Sequence, residues 1–158
     1  MRRLRLFFSR LGKKSEGVAA LEFAIVLNLL LLLIVGLTDI GHAFFMRQII
    51  INASREGGRY AVVYRGNVSG GSRIGPSPSV STWVLQDSSS GGSYGLVNLL
   101  PSDANPSVTV SPDPASANTG DSVTVTVSCT KTWWFLGNFV PGLGQSIQMT
   151  AQTVMRAE

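Results

Sequence analysis

The stretch GVAALEFAIVLNLLLLLIVGLT, residues 17–38, decides the architecture of this chain. Its part from Val18 to Thr38 would measure about 31 Å as an α-helix, which matches the hydrocarbon core of a bilayer. A carboxylate, Glu22, stands near its start, and an uncompensated carboxylate in hydrocarbon costs several kcal/mol. The stretch therefore predicts a transmembrane helix with one residue that needs a specific explanation.

A cleaved secretory signal is the competing interpretation of this stretch. The apolar core of a signal peptide has about 7–15 residues, whereas the uncharged run from Phe23 to Thr38 has 16. A small-x-small site, Gly41 to Ala43, does follow the run, but it comes after the charged Asp39. We therefore interpret the helix as a retained span.

The basic charge of the chain is concentrated at its N-terminus. The 158 residues carry a formal net charge of +4, and six of the 13 Lys and Arg residues lie within residues 1–17. The positive-inside rule then places the N-terminus in the cytoplasm and the remainder outside it, which in a bacterium is the periplasm or beyond. No basic stripe with interleaved aromatics remains elsewhere, so nucleic acid is excluded as an expected partner.

The counts of cysteine and histidine limit the chemistry. Cys129 is the one cysteine and His42 the one histidine, which excludes an internal disulfide, a cysteine-clustered metal site and a paired-histidine zinc motif. We expect no enzyme, no metal, no cofactor and no small-molecule substrate. Cys129 is interpreted as a buried small residue or, in an oxidising compartment, as one half of an intermolecular disulfide.

The helical pattern continues beyond the apolar run. Small and apolar residues recur at steps of three and four from Ala43 to Ala61, with polar residues on another face. We predict one helix from about Val18 to about Val62, with its first part in lipid and its second part against a soluble domain. The Gly57-Gly58 pair weakens this helix locally but permits close backbone packing.

The C-terminal third alternates with period two. Residues 107–110, 122–129 and 146–155 place β-branched or apolar side chains on one face, which predicts half-buried antiparallel strands. A long helix packed on three or four such strands is an α+β fold with a single membrane pass.

Two connecting regions are less regular. Residues 65–106 are rich in Gly, Ser and Pro and are predicted to be loops. Two short apolar islands lie among them, Ser81 to Gln86 and Tyr94 to Leu100, and either could form a helical turn that covers the sheet. Residues 131–145 form an apolar loop with four aromatic side chains: Trp133, Trp134, Phe135 and Phe139. We expect these side chains to cap the core of the head; the alternatives are docking of a partner and contact with the membrane surface.

A basic leader that ends in Gly17, an apolar helix that begins at Val18 and a carboxylate five residues after the glycine occur here together. This combination resembles the processing signature of type IV prepilins and pseudopilins. The resemblance implies that a membrane aspartic peptidase, the prepilin peptidase, removes residues 1–17 on the cytoplasmic side. The new α-amine of Val18 is then usually methylated in those families.

The region 17–65 is similar in more detail to TadE-like proteins, pseudopilins of the tight-adherence (Tad/Flp) pilus machinery. The residues that carry the resemblance are Gly17, Ala19-Ala20, Glu22-Phe23, Asp39 and SREGGRYA, residues 54–61. The last residues, TAQTVMRAE, also look like the closing strand of the family. His42 and Gly58 depart from the residues common there, but neither touches the processing site.

The resemblance implies a minor pilin-like subunit that assembles or anchors a pilus used for adherence and biofilm formation. Its expected partners are the prepilin peptidase, other pilins or pseudopilins, and membrane lipid. The segments are then a prepilin-type leader (1–17), a transmembrane helix (18–38), an amphipathic helix (39–64), loops (65–106) and a β-rich extracytoplasmic head (107–158). The alternative function is an uncleaved single-pass anchor, whose head binds an envelope partner unrelated to pili.

The glutamate has an explanation in this setting. Cleavage would create a positive amine at Val18, one helical turn from Glu22 on the same face. We hypothesise that Glu22 pairs with the N-terminal amine of an adjacent pilin or pseudopilin, which would make helix packing specific in register. The alternative is a protonated glutamic acid near the headgroups with no specific partner.

Further polar residues of the helix are candidates for packing. Asn28 either forms a hydrogen bond across a helix pair, worth about 1 kcal/mol, or is a tolerated polar residue. Asp39 and His42 are interpreted as an interfacial ion pair that ends the span. A metal site is the alternative, but two ligands are too few for it. The remaining candidates form a polar group on the amphipathic helix: Arg55, Glu56 and Arg59.

Overall fold

The computed structural model describes the backbone of residues 2–63, 75–85 and 95–158, and side chains from Gly17 onward within these ranges. The elements in chain order are α1 (Arg2–Val62), α2 (Val80–Leu85), β1 (Ser107–Ser111), β2 (Ser122–Thr132), α3 (Leu136–Phe139) and β3 (Ser146–Arg156). The three strands form one antiparallel sheet in the order β1-β2-β3. The predicted α+β class, with a long N-terminal helix and a small antiparallel sheet, is confirmed.

Helix α1 ends at Val62, as predicted, but begins at Arg2, well before the expected start near Val18. The physical reason is that the basic leader contains no proline and is rich in Arg, Leu and Lys, which favour helix. Nothing in its sequence therefore ends the helix before the apolar run begins.

The chain divides into two compact units, Met1–Asp39 and Ile40–Glu158, which we call the N-terminal unit and the C-terminal unit. The N-terminal unit consists of the first part of α1. Its apolar side chains are exposed from Val18 to Ile34, with Leu21 64% and Leu29 68% exposed. Among the described residues, one helix, Gly17–Val62, is long and apolar enough to cross a membrane. A helix that is apolar on all sides and has no protein cover is suited to lipid.

The sheet of the C-terminal unit has an apolar inner face and a polar outer face. Val123, Val125 and Val127 of β2 are fully buried, as the alternation predicted, while Ser and Thr occupy the positions between them. Val125 pairs with Val110 of β1 on one side and with Thr153 of β3 on the other. Strand β2 runs three residues beyond its predicted end at Cys129.

The part of α1 within the C-terminal unit packs on the inner face of this sheet. Met46, Ile50 and Ala53 are buried on the helix, and Val80 and Val84 of α2 join the same core. The close approach occurs at Gly57, where an added Cβ would lie 2.9 Å from Val84 Cγ2. The helical turn expected near residues 81–86 is therefore present and does contribute to the core.

Backbone hydrogen bonds join the last two residues of the chain to other parts of the C-terminal unit. The N–H of Ala157 donates to the carbonyl of Asp121, and the N–H of Glu158 donates to the carbonyl of Val62, the last residue of α1. The loops predicted for residues 65–74 and 86–94 lie outside the described residues.

Candidate assembly helix and aromatic loop

The predicted processing site lies on the exposed surface of α1. Gly17 and Val18 are both exposed, and a Cβ added at Gly17 would meet no atom within 4 Å. A side chain at position 17 would therefore be tolerated by the chain itself. Any requirement for glycine here would come from another molecule.

Glu22 is surrounded by apolar side chains that point outward. Leu21, Phe23, Ile25 and Val26 are all exposed on the same helix. Glu22 is itself exposed and lies one turn from Val18. In hydrocarbon, this arrangement leaves a single carboxylate on an otherwise apolar surface, where a compensating positive charge would have its largest effect.

Asn28, the second polar candidate in the run, is also exposed on α1. It follows Glu22 by six residues, so the two side chains point about 120° apart around an α-helix. A third polar group, the hydroxyl of Thr38, donates to the carbonyl of Ile34 at 2.9 Å and so is satisfied within the helix. Asp39 is fully buried.

The structure brings together two of the three polar candidates on the amphipathic part of α1. Arg59 Nη1 lies 3.6 Å from Glu56 Oε1, so these two residues form an i,i+3 ion pair. Arg55 is exposed. An exposed pair of this kind contributes only about 0–1 kcal/mol, so the pair is not a major determinant of the fold.

Ser54, two residues before Glu56, is a buried polar residue that belongs to the SREGGRYA segment but was given no contact of its own in the sequence analysis. Its hydroxyl donates to the carbonyl of Ile51 at 2.9 Å and lies 2.9 Å from Thr153 Oγ1 of β3. Because the single proton of Ser54 is directed to Ile51, Thr153 donates to Ser54. This contact joins α1 to strand β3 in a fixed register.

Lys131 is the second residue that the sequence analysis missed. It occupies an inward position of β2, opposite Ile147, and is only 1% exposed. Its Nζ donates to the carbonyl of Thr132 and lies 4.9 Å from the ring centre of Trp134 and 5.3 Å from that of Trp133. Stacking of a cation on aromatic rings contributes about 0.5–2 kcal/mol, so the first two residues of the aromatic loop help to hold the ammonium group.

The expectation that the aromatic loop caps the core is wrong for three of its four aromatic residues. Trp134 is 54%, Phe135 48% and Phe139 64% exposed, and only Trp133 is half-buried. The reason is that β2 continues to Thr132, so the loop begins beyond the buried part of the sheet. The ring of Trp134 stacks instead on His42 of α1, with centres 4.8 Å apart.

A cleft of about 380 Å³ lies beside this loop. Ile40, Phe44 and Arg47 of α1 line one side of it, and Trp133 and Ile147 line the other. The indole Nε1–H of Trp133 is buried and has no hydrogen-bond acceptor among the described residues. The cleft is open and mostly apolar, and it contains no cluster of titratable side chains.

Cys129 is buried, as the first interpretation of this residue required. It lies on β2 opposite Met149, and burial raises the pKa of its thiol. A buried neutral thiol reacts slowly, so the structure does not favour an intermolecular disulfide in the folded protein. Among the described residues, no group of three or more His, Cys, Asp and Glu side chains could hold a metal ion.

One comparison with known protein families gives a match, and the match lies on helix α1. Residues 17–59 match the family model described as TadE-like protein, the family expected from the sequence. No curated protein and no solved structure is significantly similar to the chain. The matched region contains Gly17 and Glu22 and ends at Arg59 of the ion pair. The chain therefore carries a TadE-like region at residues 17–59, and TadE-like proteins are a family associated with the Tad pilus.

Proposed function

We propose that this protein is a pseudopilin, a minor pilin-like subunit that takes part in assembling or anchoring a Tad/Flp-type pilus. It is not an enzyme but the substrate of one, the prepilin peptidase. The observation that carries this proposal is the single carboxylate of Glu22 on the exposed apolar surface of α1, five residues after Gly17. A helix of this kind requires partners for its apolar surface and for its charge.

The chain is anchored in the bacterial inner membrane. The basic leader favours a cytoplasmic N-terminus, and the apolar run that follows it is long enough for one pass. The β-rich C-terminal unit then lies in the periplasm or beyond. Its polar outer sheet face is compatible with an aqueous compartment.

The prepilin peptidase removes residues 1–17 and leaves a positive amine on Val18. Glu22 of one subunit then pairs with the amine of a neighbouring pilin or pseudopilin. Both groups would be costly in lipid if they were alone, so their pairing favours a single register between neighbouring helices. Because Asn28 points about 120° away from Glu22, it would face a different neighbour and form a hydrogen bond there.

Intact mass spectrometry of the protein extracted from membranes of a host that contains its prepilin peptidase tests this proposal. We expect the mass of residues 18–158, with one added methyl group on the new amine. A full-length mass would contradict processing and favour the alternative of an uncleaved anchor whose C-terminal unit binds an envelope partner.

A pair of matched glycine variants makes the same test specific. Gly17→Leu should abolish cleavage because the peptidase, and not the chain, requires a residue without a side chain at this position. Gly41→Leu is the control. Gly41 lies on the same helix, and a Cβ added there also meets no atom within 4 Å. Equal cleavage of both variants would show that Gly17 is not recognised.

A further inference from the structure

We propose that the C-terminal unit dips into the headgroup layer of the bilayer through an aromatic patch, which we define as Phe44, Phe45, Trp134, Phe135, Phe139 and Val140. This inference rests on the proposed span at residues 18–38. It adds a second membrane contact, made by the folded unit itself.

The side chains of the aromatic patch are exposed on the C-terminal unit. All six are exposed, and α1 contributes two of them while the loop from Trp134 to Val140 contributes four. The His42 ring connects the two groups, because it lies 4.8 Å from the Trp134 ring and 6.4 Å from the Phe45 ring. A group of exposed apolar side chains of this kind is typical of a contact surface.

The aromatic patch lies only a few residues along the chain from the proposed span. His42 follows Thr38, the last residue of the apolar run, by four residues. Four residues reach at most about 14 Å in any conformation. The covalent connection alone therefore keeps His42, and the Trp134 ring stacked on it, close to the boundary of the bilayer.

The aromatic rings and the charge of the patch suit the headgroup layer of a bilayer. Tryptophan and other aromatic side chains favour the headgroup region, where an apolar ring and a polar edge are both accommodated. The charged residues in the two contributing segments, 40–47 and 131–149, are Arg47 and Lys131, and both are basic. Lys131 is buried, so the charge at the surface comes from Arg47. Arg47 is exposed beside Phe44. A surface with positive charge and no carboxylate suits the phosphate groups of phospholipids.

The remainder of the C-terminal unit differs from this patch. The outer sheet face carries Ser, Thr and Gln at nearly every position, with Val154 as the apolar exception. Leu99 is strongly exposed but lies outside both segments that form the patch. Trp83 stacks on Tyr60 at 4.6 Å, and so provides an internal reference tryptophan that does not belong to the patch.

Depth-dependent fluorescence quenching tests the proposal. The full chain is reconstituted into vesicles of phosphatidylcholine and phosphatidylglycerol whose acyl chains are brominated either near the glycerol or near the methyl end. One protein, Trp83→Phe/Trp133→Phe, retains Trp134, and a second, Trp133→Phe/Trp134→Phe, retains Trp83. We expect shallow bromines to reduce the emission of Trp134 and to leave that of Trp83 unchanged.

A third protein separates this proposal from the proposed span. It carries Leu30→Trp with all three native tryptophans replaced by phenylalanine, and deep bromines should quench it. Quenching at position 30 with no quenching of Trp134 would overturn the patch contact and leave the span intact. Absence of quenching at position 30 would overturn the span and the patch contact together.

Two further readouts exclude a structural effect and a protein partner. Phe139→Ser should reduce the quenching of Trp134, whereas Leu99→Ser, the control at another exposed apolar position, should not. Equal quenching in both variants would contradict the proposal. If Trp134 is protected from aqueous acrylamide but is not quenched by bromine, protein covers the patch. That result would also overturn the proposed membrane contact.

Discussion

A Cβ atom added at Gly57 would lie 2.9 Å from Val84 Cγ2, so α1 passes α2 more closely than a side chain permits without a shift. The same Cβ would lie 3.3 Å from Val125 Cγ1 of the sheet. Gly57 is thus the point at which the long helix, the short helix and the sheet meet. The close packing that the Gly57-Gly58 pair was expected to permit is observed here.

Gly57→Ala should therefore destabilise the C-terminal unit relative to Gly41→Ala. Both substitutions gain the helix propensity of alanine, about 1 kcal/mol, but only the former must displace Val84 or Val125. Overpacking of this kind costs about 1–3 kcal/mol. Thermal unfolding in detergent, followed by the near-ultraviolet circular dichroism of the aromatic residues, measures the difference. Equal stabilities of the two variants would contradict the contact.

The hydrogen bond between Ser54 and Thr153 should show energetic coupling. The variants Ser54→Ala and Thr153→Val each remove one hydroxyl and keep the size of the side chain nearly unchanged. A buried hydrogen bond contributes about 0.5–1.5 kcal/mol, and the double variant should lose less than the sum of the two single variants. Chemical denaturation of all four proteins completes the cycle, and strict additivity would mean that the hydroxyl groups do not interact.

The thiol of Cys129 should be protected in the folded protein. Burial raises the pKa of this thiol, so the neutral form prevails and alkylation by a maleimide at neutral pH should be slow until the protein is unfolded. A control protein, Cys129→Ala/Thr109→Cys, places a thiol at an exposed position of β1 and should react at once. Rapid labelling of native Cys129 would contradict its burial.

The same shift predicts the direction of a stability change at high pH. Because the folded-state pKa lies above the unfolded-state value of about 8.5, the contribution of the buried thiol is fully present below that value. It declines as the pH rises towards the folded-state pKa, since the unfolded chain loses its proton first. Cys129→Ala should lack this decline, and identical pH profiles for the two proteins would count against it.

Glu22→Gln should impair association with other pilus components without impairing the fold. The substitution removes the charge from an exposed position of the N-terminal unit and keeps the shape of the side chain. We expect cleavage of the leader to proceed and co-purification of pilins from detergent extracts to fall. Glu56→Gln is the matched control, since it removes a carboxylate from the exposed pair with Arg59. If both variants co-purify equal amounts of pilins, the pairing of Glu22 with the Val18 amine of a neighbouring subunit is refuted.

The proposed function depends on residues that the sequence displays locally. Gly17, Val18 and Glu22 lie within two turns of one helix, and their spacing can be interpreted without any tertiary contact. The structure adds that, among the described residues, no atom lies where a side chain of residue 17 would begin and that the apolar run from Val18 to Ile34 is exposed. Their partners are other molecules, so the fold of a single chain neither provides nor excludes them.

The sequence by itself determined the long helix, the candidate span and the three strands, because each follows from a short periodic pattern of apolar side chains. It did not determine the end of β2 or the burial of Lys131, since a basic residue interrupts the alternation and only pairing with Ile147 extends the strand. Tertiary structure likewise decided that Trp134, Phe135 and Phe139 remain exposed. Their hydrophobicity favours burial, but the loop begins beyond the buried part of the sheet and its rings are covered only in part. Trp134, for example, stacks on His42 and is still 54% exposed.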